Sequence, residues 1–159
     1  MTAYPQTNHQ TSEDRAGGSC PSAYFAIPGR VLMSSIFLLS GFMKVVGFSG
    51  MAGYMASKGM PAPKLMLALA AAAEIVGGLA LFLGFLTRLG AFGLFVYLIP
   101  TTLIFHNFWA ISDSMAHQDQ LAHFLKNIAI MGGLLMVAGF GAGPLSVDAA
   151  RRSGTSGAR

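Results

Sequence analysis

Four long apolar stretches constrain this chain more than anything else in it. They run at about 28–48, 65–86, 89–109 and 121–147. A bilayer core of roughly 30 Å takes about 20 helical residues, and each stretch is long enough. Glu74 is the only charge in the second, Lys126 is the only charge in the fourth, and the third has none. In hydrocarbon, backbone groups must be satisfied within the segment, so these stretches predict helices. The two-residue alternation of a transmembrane barrel is absent. The fold class that follows is all-α, an integral membrane four-helix bundle.

Composition agrees. Hydrophobic residues make up 53% of the chain and charged residues only 10%, against roughly 25% charged in a soluble domain. Ten basic and six acidic side chains cannot cover a soluble surface. Disorder of the whole chain, a nucleic-acid-binding domain and most soluble enzymes are thereby excluded. The basic residues sit singly at the ends of apolar stretches, as charges flanking spans do, and form no basic face with interleaved aromatics. No nucleic-acid partner is expected. Cys20 is the single cysteine, which excludes an internal disulfide, a CxxC pair and a Cys-rich metal site. A redox role would have to borrow its centre from a cofactor, a quinone or a partner.

Residues 1–22 read as a disordered polar tail, residues 23–148 as the membrane domain, and residues 149–159 as a disordered basic tail. The N-terminal tail is not a standard signal peptide, because no short basic start leads directly into the apolar region. Pro28 suits a first helical turn. Thr87-Arg88 leaves almost no loop and predicts a tight antiparallel hairpin. The connection 49–64 contains the breaker string Gly59-Met60-Pro61-Ala62-Pro63, and MAGYMASKGM within it reads as a short interfacial helix. The connection 110–120 is polar. An even number of spans puts both termini on one side. That side carries Arg15, Arg30, Arg88, Arg151, Arg152 and Arg159, and the other carries Lys58 and Lys64 with Lys44 and Lys126 near its boundary. The positive-inside rule then places both termini in the cytoplasm.

Glu74 is the most informative residue. It lies nine residues after Leu65, about 14 Å into its span, and a carboxylate at that depth costs on the order of 3 kcal/mol. Such a group faces the bundle interior and finds a partner, or stays protonated. It reads as a candidate proton-handling or ligand-contacting residue, or as half of a structural pair. Lys44, His106 and Lys126 lie near the same ends of their spans and are the candidates to meet it. Each lysine could instead snorkel to the interface. If all converge, two Lys, one Glu and a neutral His give a site of net charge about +1, suited to a small anion or a carbonyl oxygen. Pro100, followed by Thr101-Thr102, breaks the third helix just before His106. His106 and His123 are too few and too irregularly spaced to predict haem, and no metal is expected. Trp109 reads as an interfacial anchor, and Arg30 and Arg88 as boundary residues, Arg30 snorkelling and Arg88 marking the turn. Ala73 and Gly77, Gly41, and Gly132-Gly133 offer small surfaces for close helix packing.

The strings GRVLMSSIFLLSGFMKVVGFSGMAGYMASKGMPAP, AEIVGGLALFLGFLTRLGA, FHNFW and HFLKNIAIMGGLLMVAGFGAGPLSVD follow one another on this four-helix layout. In that order and spacing they resemble the DoxX family of membrane proteins over about residues 28–148. The resemblance implies a small four-helix protein of the bacterial inner (plasma) membrane. The family's recurrent polar positions match Arg30, Lys44, Glu74, Arg88, His106, Lys126 and Asn127, and Asn127 joins the candidate ligand-binding set on this ground. The family takes its name from a subunit of a thiosulfate:quinone oxidoreductase, although most members have no established reaction. The first 27 residues depart from the family's usual short start.

Three functions compete. The favoured one is a non-catalytic or accessory subunit of a membrane complex, a redox complex among the candidates, with other membrane or peripheral proteins or a second copy as partners in the bilayer. The second is a quinone- or sulfur-anion-linked oxidoreductase subunit. The third is a small-solute transporter acting as an oligomer, with Glu74 as the coupling group.

Overall fold

A computed structural model describes residues 22–156. Its elements are α1 (Ser22–Val46), α2 (Phe48–Ser57), α3 (Pro63–Leu83), α4 (Thr87–Phe105), α5 (Ser114–Phe140) and α6 (Val147–Ser156), with a 3-10 turn at Phe108–Ala110. No strand occurs among the described residues. Four segments are long and apolar enough to cross a membrane: Phe25–Val46, Pro63–Leu83, Thr87–Ala110 and Ser114–Phe140. The fold is the all-α membrane bundle that the apolar stretches demand.

Several boundaries differ from the sequence reading, each for a local reason. Pro28 lies inside α1 because the helix starts at Ser22, so the helix reaches into the stretch read as tail; residues 1–21 lie outside the described residues. The hairpin turn is Gly84–Leu86, with Thr87-Arg88 already in α4. Gly84 ends α3 in the left-handed conformation, φ 67°, which glycine adopts without a Cβ clash. Asp113 caps α5 by accepting from the Ala116 backbone N–H at 2.8 Å, so α5 begins inside the stretch read as loop. The basic C-terminal stretch is helical through Ser156; residues 157–159 lie outside the described residues.

The span helices pack in sequence order: α1 on α3, α3 on α4 and α4 on α5. Close approach depends on glycine, at Gly41 and Gly77 among others. A Cβ at Gly41 would lie 2.7 Å from Ile75 and 3.4 Å from the Glu74 Cβ, and a Cβ at Gly77 would lie 2.6 Å from Leu94. Gly132 has nothing within reach of a Cβ, whereas a Cβ at Gly133 would run into the Met33 side chain of α1, so of that pair only Gly133 serves close packing. The half of the bundle nearest the α3–α4 turn, the hairpin end, is filled by Phe37, Leu81, Leu94, Leu98, Met131 and Leu134. At the opposite, loop end a second cluster forms where α2 folds onto α3 through Ala52, Met55 and Leu67. Large apolar side chains such as Leu32, Leu39, Val76, Leu89, Phe92 and Met136 are exposed on the outside, as lipid contact allows.

Candidate functional site

Three helices bring charge together at mid-bundle. Lys44 Nζ on α1 donates to both carboxylate oxygens of Glu74 on α3, each at 2.8 Å, and to Ser40 Oγ at 2.7 Å. An ammonium has three hydrogens, and here each has an acceptor. The Tyr97 hydroxyl on α4 donates to Glu74 Oε1 at 2.9 Å. The Lys44 and Glu74 side chains retain 17% and 6% of their exposure. Ser40 reaches Lys44 because it lies one turn earlier on the same face. The pair forms because Gly41, three residues before Lys44, lets α1 lie against α3 at Glu74.

The pair forms part of the wall of a cavity of about 670 Å³ at the loop end, within the roughly 300–1,000 Å³ of ordinary ligand pockets. Lys44, Glu74, Ser40, Tyr97, Thr101 and His106 are its polar side chains on α1, α3 and α4 and at the α4 C-cap, and Lys126 and Asn127 reach it from α5. Most of the remaining wall is apolar. The Thr101 hydroxyl donates to the Tyr97 carbonyl at 2.9 Å, in the turn where Pro100 cannot donate.

The remaining candidates sort into two places. Asn127 is buried and donates to Thr102 Oγ1 at 3.0 Å, joining α5 to α4. His106 and His123 stack at 5.3 Å. His106 Nδ1 lies 2.9 Å from Gln120 Oε1. Lys126 is exposed, and its ammonium donates to His123 Nδ1 at 2.9 Å. The four polar groups therefore do not meet at one point. Lys44 pairs with Glu74, while Lys126 is held by histidine at the rim, so the buried centre is neutral and lacks the net charge of +1 that full convergence would give. Among the described residues no group of three or more His, Cys, Asp or Glu side chains could hold a metal ion.

The hairpin end is a separate polar clamp. Arg30, read as a snorkelling boundary residue, is buried at 5% exposure. It donates through Nη2 to the Leu145 carbonyl at 3.2 Å, because the chain after α5 folds back over it. Arg88 stays exposed, its guanidinium beside Gly141. Asp148 of α6 accepts from Leu86 N at 2.9 Å, Thr87 N at 3.0 Å and Thr87 Oγ1 at 2.9 Å. It therefore caps α4 from another element. Burial alone would push this carboxyl up, but the hydrogen bonds from Thr87 and Leu86 and the charge of Arg152 hold it below the usual carboxylate range.

Sequence reasoning missed Tyr97, Ser40 and Asp148. Tyr97 had a readable signal. Glu74 lies eleven residues before Phe85 and Tyr97 eleven after Leu86, and residues equidistant from a tight antiparallel turn face each other. Asp148 had none, since its role depends on a distant fold-back.

The DoxX family profile matches residues 25–107. The inner membrane protein YphA of Escherichia coli (strain K12) is 34% identical over 119 residues, covering 75% of this chain and 84% of its own length. The chain belongs to the DoxX family. A second relative in the same strain, the inner membrane protein YqjF, is 35% identical over 119 residues, covering 75% of this chain and 85% of its own. No solved structure matches the chain. The span matched to DoxX holds Arg30, Lys44, Glu74, Arg88, Tyr97 and His106, whereas Lys126 and Asn127 lie beyond it. The whole Lys44–Glu74–Tyr97 group is thus part of the DoxX segment.

Proposed function

We propose that this DoxX protein is a non-catalytic accessory subunit of a bacterial inner-membrane complex. It holds a small ligand in the loop-end cavity, and both its termini face the cytoplasm. The observation that carries this reading is a cavity of about 670 Å³ whose mostly apolar wall includes the Lys44–Glu74 pair. Pockets of that size and lining are the usual form of small-molecule sites. The two relatives are inner membrane proteins by name. Permeation is less well supported. A route through the bundle would have to cross the closed cluster of Phe37, Leu81, Leu94 and Leu134.

A quinone-linked role is the second reading, favoured by the hydrogen bond from Tyr97 to Glu74 in the cavity wall. A quinone there would supply electron-carrying chemistry. Ser40, Tyr97 and Glu74 would hold its oxygen and a proton.

The test is to purify the full chain in mild detergent, identify bound small molecules by mass spectrometry, and assay quinone reduction with thiosulfate or sulfide. A bound molecule without turnover is the expected result. Turnover that disappears in Glu74→Gln would move the protein to the oxidoreductase class. Absence of any bound molecule would remove the binding reading.

A further inference from the structure

We propose that the ligand of this cavity is an uncharged amphiphile, a mostly apolar molecule with one hydroxyl or carbonyl group, and that it enters sideways from the bilayer. This inference rests on the reading of the cavity as a ligand site and narrows what that site accepts.

The buried charges of the site are already matched, whereas Lys126 keeps its charge at the exposed rim. All three ammonium hydrogens of Lys44 have acceptors in Ser40 and Glu74. Tyr97 gives its hydrogen to Glu74, and Lys126 gives to His123 at the rim. An anion could bind Lys44 only by drawing it off Glu74, which would leave a buried carboxylate unpaired, the costly way to break such a pair. A cation would have to displace Lys44 in the same manner. What remains for a ligand is modest. Ser40 accepts from Lys44, and its own hydroxyl hydrogen has no acceptor among the described residues. The Tyr97 oxygen keeps a lone pair. Beside the buried pair, one hydroxyl or carbonyl group matches that capacity, and a charged head does not.

The walls suit an apolar body. Met51, Met55, Met60 and Met66 line the cavity with Leu67 and Phe105. Methionine is unbranched and adapts to irregular shapes.

The route follows from the helix packing. α3 and α4 are tight near their turn, where Gly77 lies against Leu94. Toward the loop end the cavity separates them. Leu69 of α3 and Pro100 and Ile104 of α4 line it and are also exposed on the bundle's outer surface. Ile36 does the same on α1. The cavity wall is therefore continuous with the lipid-facing surface. The loop end itself is covered by α2 through Ala52 and Met55, and by Met60 of the loop that follows.

The experiment uses the full chain in phosphatidylcholine nanodiscs with two photoreactive probes of equal chain length, a diazirine hexadecanol and a diazirine hexadecanoate, at pH 8. Labelled residues are mapped by mass spectrometry. The alcohol is expected to label cavity residues such as Leu67 and Phe105 about tenfold more than the carboxylate does, reflecting the cost of unpairing Glu74. Ala73→Phe, which fills the α3–α4 seam, is expected to abolish that labelling while its thermal unfolding in detergent stays close to wild type. Thiosulfate should not compete. Equal or stronger labelling by the carboxylate, or displacement by thiosulfate, overturns the uncharged-ligand inference and leaves the binding reading standing. Full labelling in Ala73→Phe overturns the lateral route. Labelling by neither probe inside the cavity, with only outer surface residues modified, overturns the binding reading as well.

Discussion

Glu74 lies eleven residues after Pro63 in α3, about 16 Å along the helix, where an isolated carboxylate is costly. It is kept there by Lys44 and Tyr97, so its partners should show large and coupled effects. Removing one member of a buried pair costs about 3–5 kcal/mol. The partial exposure of Lys44 places Lys44→Met near the lower figure. Adding Glu74→Leu should recover part of the loss, because no charge is then left unpaired. Reversible unfolding in mixed detergent across the four proteins of this double-mutant cycle reads the coupling, and additive losses would mean that the two side chains do not act as a pair. Tyr97→Phe deletes one hydrogen bond to a charged group and should cost about 1.5–3 kcal/mol in the same assay. The sequence made half of this group legible. A lone acid at mid-span requires a partner, and Lys44 was among the few cations within reach. It did not show that Lys126 would be held by His123, since both lie on α5 one turn apart and the choice between inward and rim positions depends on the helix's rotation.

At the scale of elements, contacts that glycine permits should be separable from glycines that merely occur. Gly41→Ala places a Cβ against Ile75, and Gly132→Ala places one where nothing lies within 4 Å. The first should lower the unfolding midpoint markedly through overpacking and loss of the α1–α3 contact. The second should leave it within the range of a surface change. Equal effects would show that α1 does not lie against α3 as described. The α6 clamp has a pH signature. Its carboxyl, Asp148, has a folded-state pKa below the ordinary carboxylate value, so its contribution is present at neutral pH and is lost as the pH falls through that lowered value. A nitroxide at Ser153, in a Cys20→Ser background, should be restrained at pH 7 and become mobile only as the pH falls below the ordinary carboxylate pKa of about 3.9 and through the lowered one. Asp148→Asn should be more mobile than wild type already at pH 7. A mobility that ignores both pH and Asn would remove the clamp. The four spans were legible because hydropathy sets them locally, and the hairpin because almost no loop separates two of them. α6 was not legible. Its sequence, VDAARRSGTS, is polar and short, and the Asp148 bonds to Leu86 and Thr87 that hold it are visible only once the chain has folded back.

The whole molecule has two unlike ends, and that asymmetry sets how it should lie in a membrane. The hairpin end carries Arg30, Arg88, Arg151 and Arg152, with Arg30 buried under the fold-back. The loop end carries Lys58 and Lys64, and its rim holds Lys126. Four spans return the chain to its starting side, so the N-terminal stretch and α6 share a compartment. Positive residues near span ends favour the cytoplasm, and under the topology proposed on that ground the cavity would lie in the outer half of the bilayer. The single cysteine makes the N-terminal side measurable in the unaltered chain. A membrane-impermeant maleimide should spare Cys20 in intact spheroplasts and label it in inverted vesicles. Ser57→Cys in a Cys20→Ser background, at the end of α2, should give the opposite pattern. Labelling of Cys20 in spheroplasts would invert the molecule and turn the cavity toward the cytoplasmic leaflet. Labelling of both positions from one side would be incompatible with four spans.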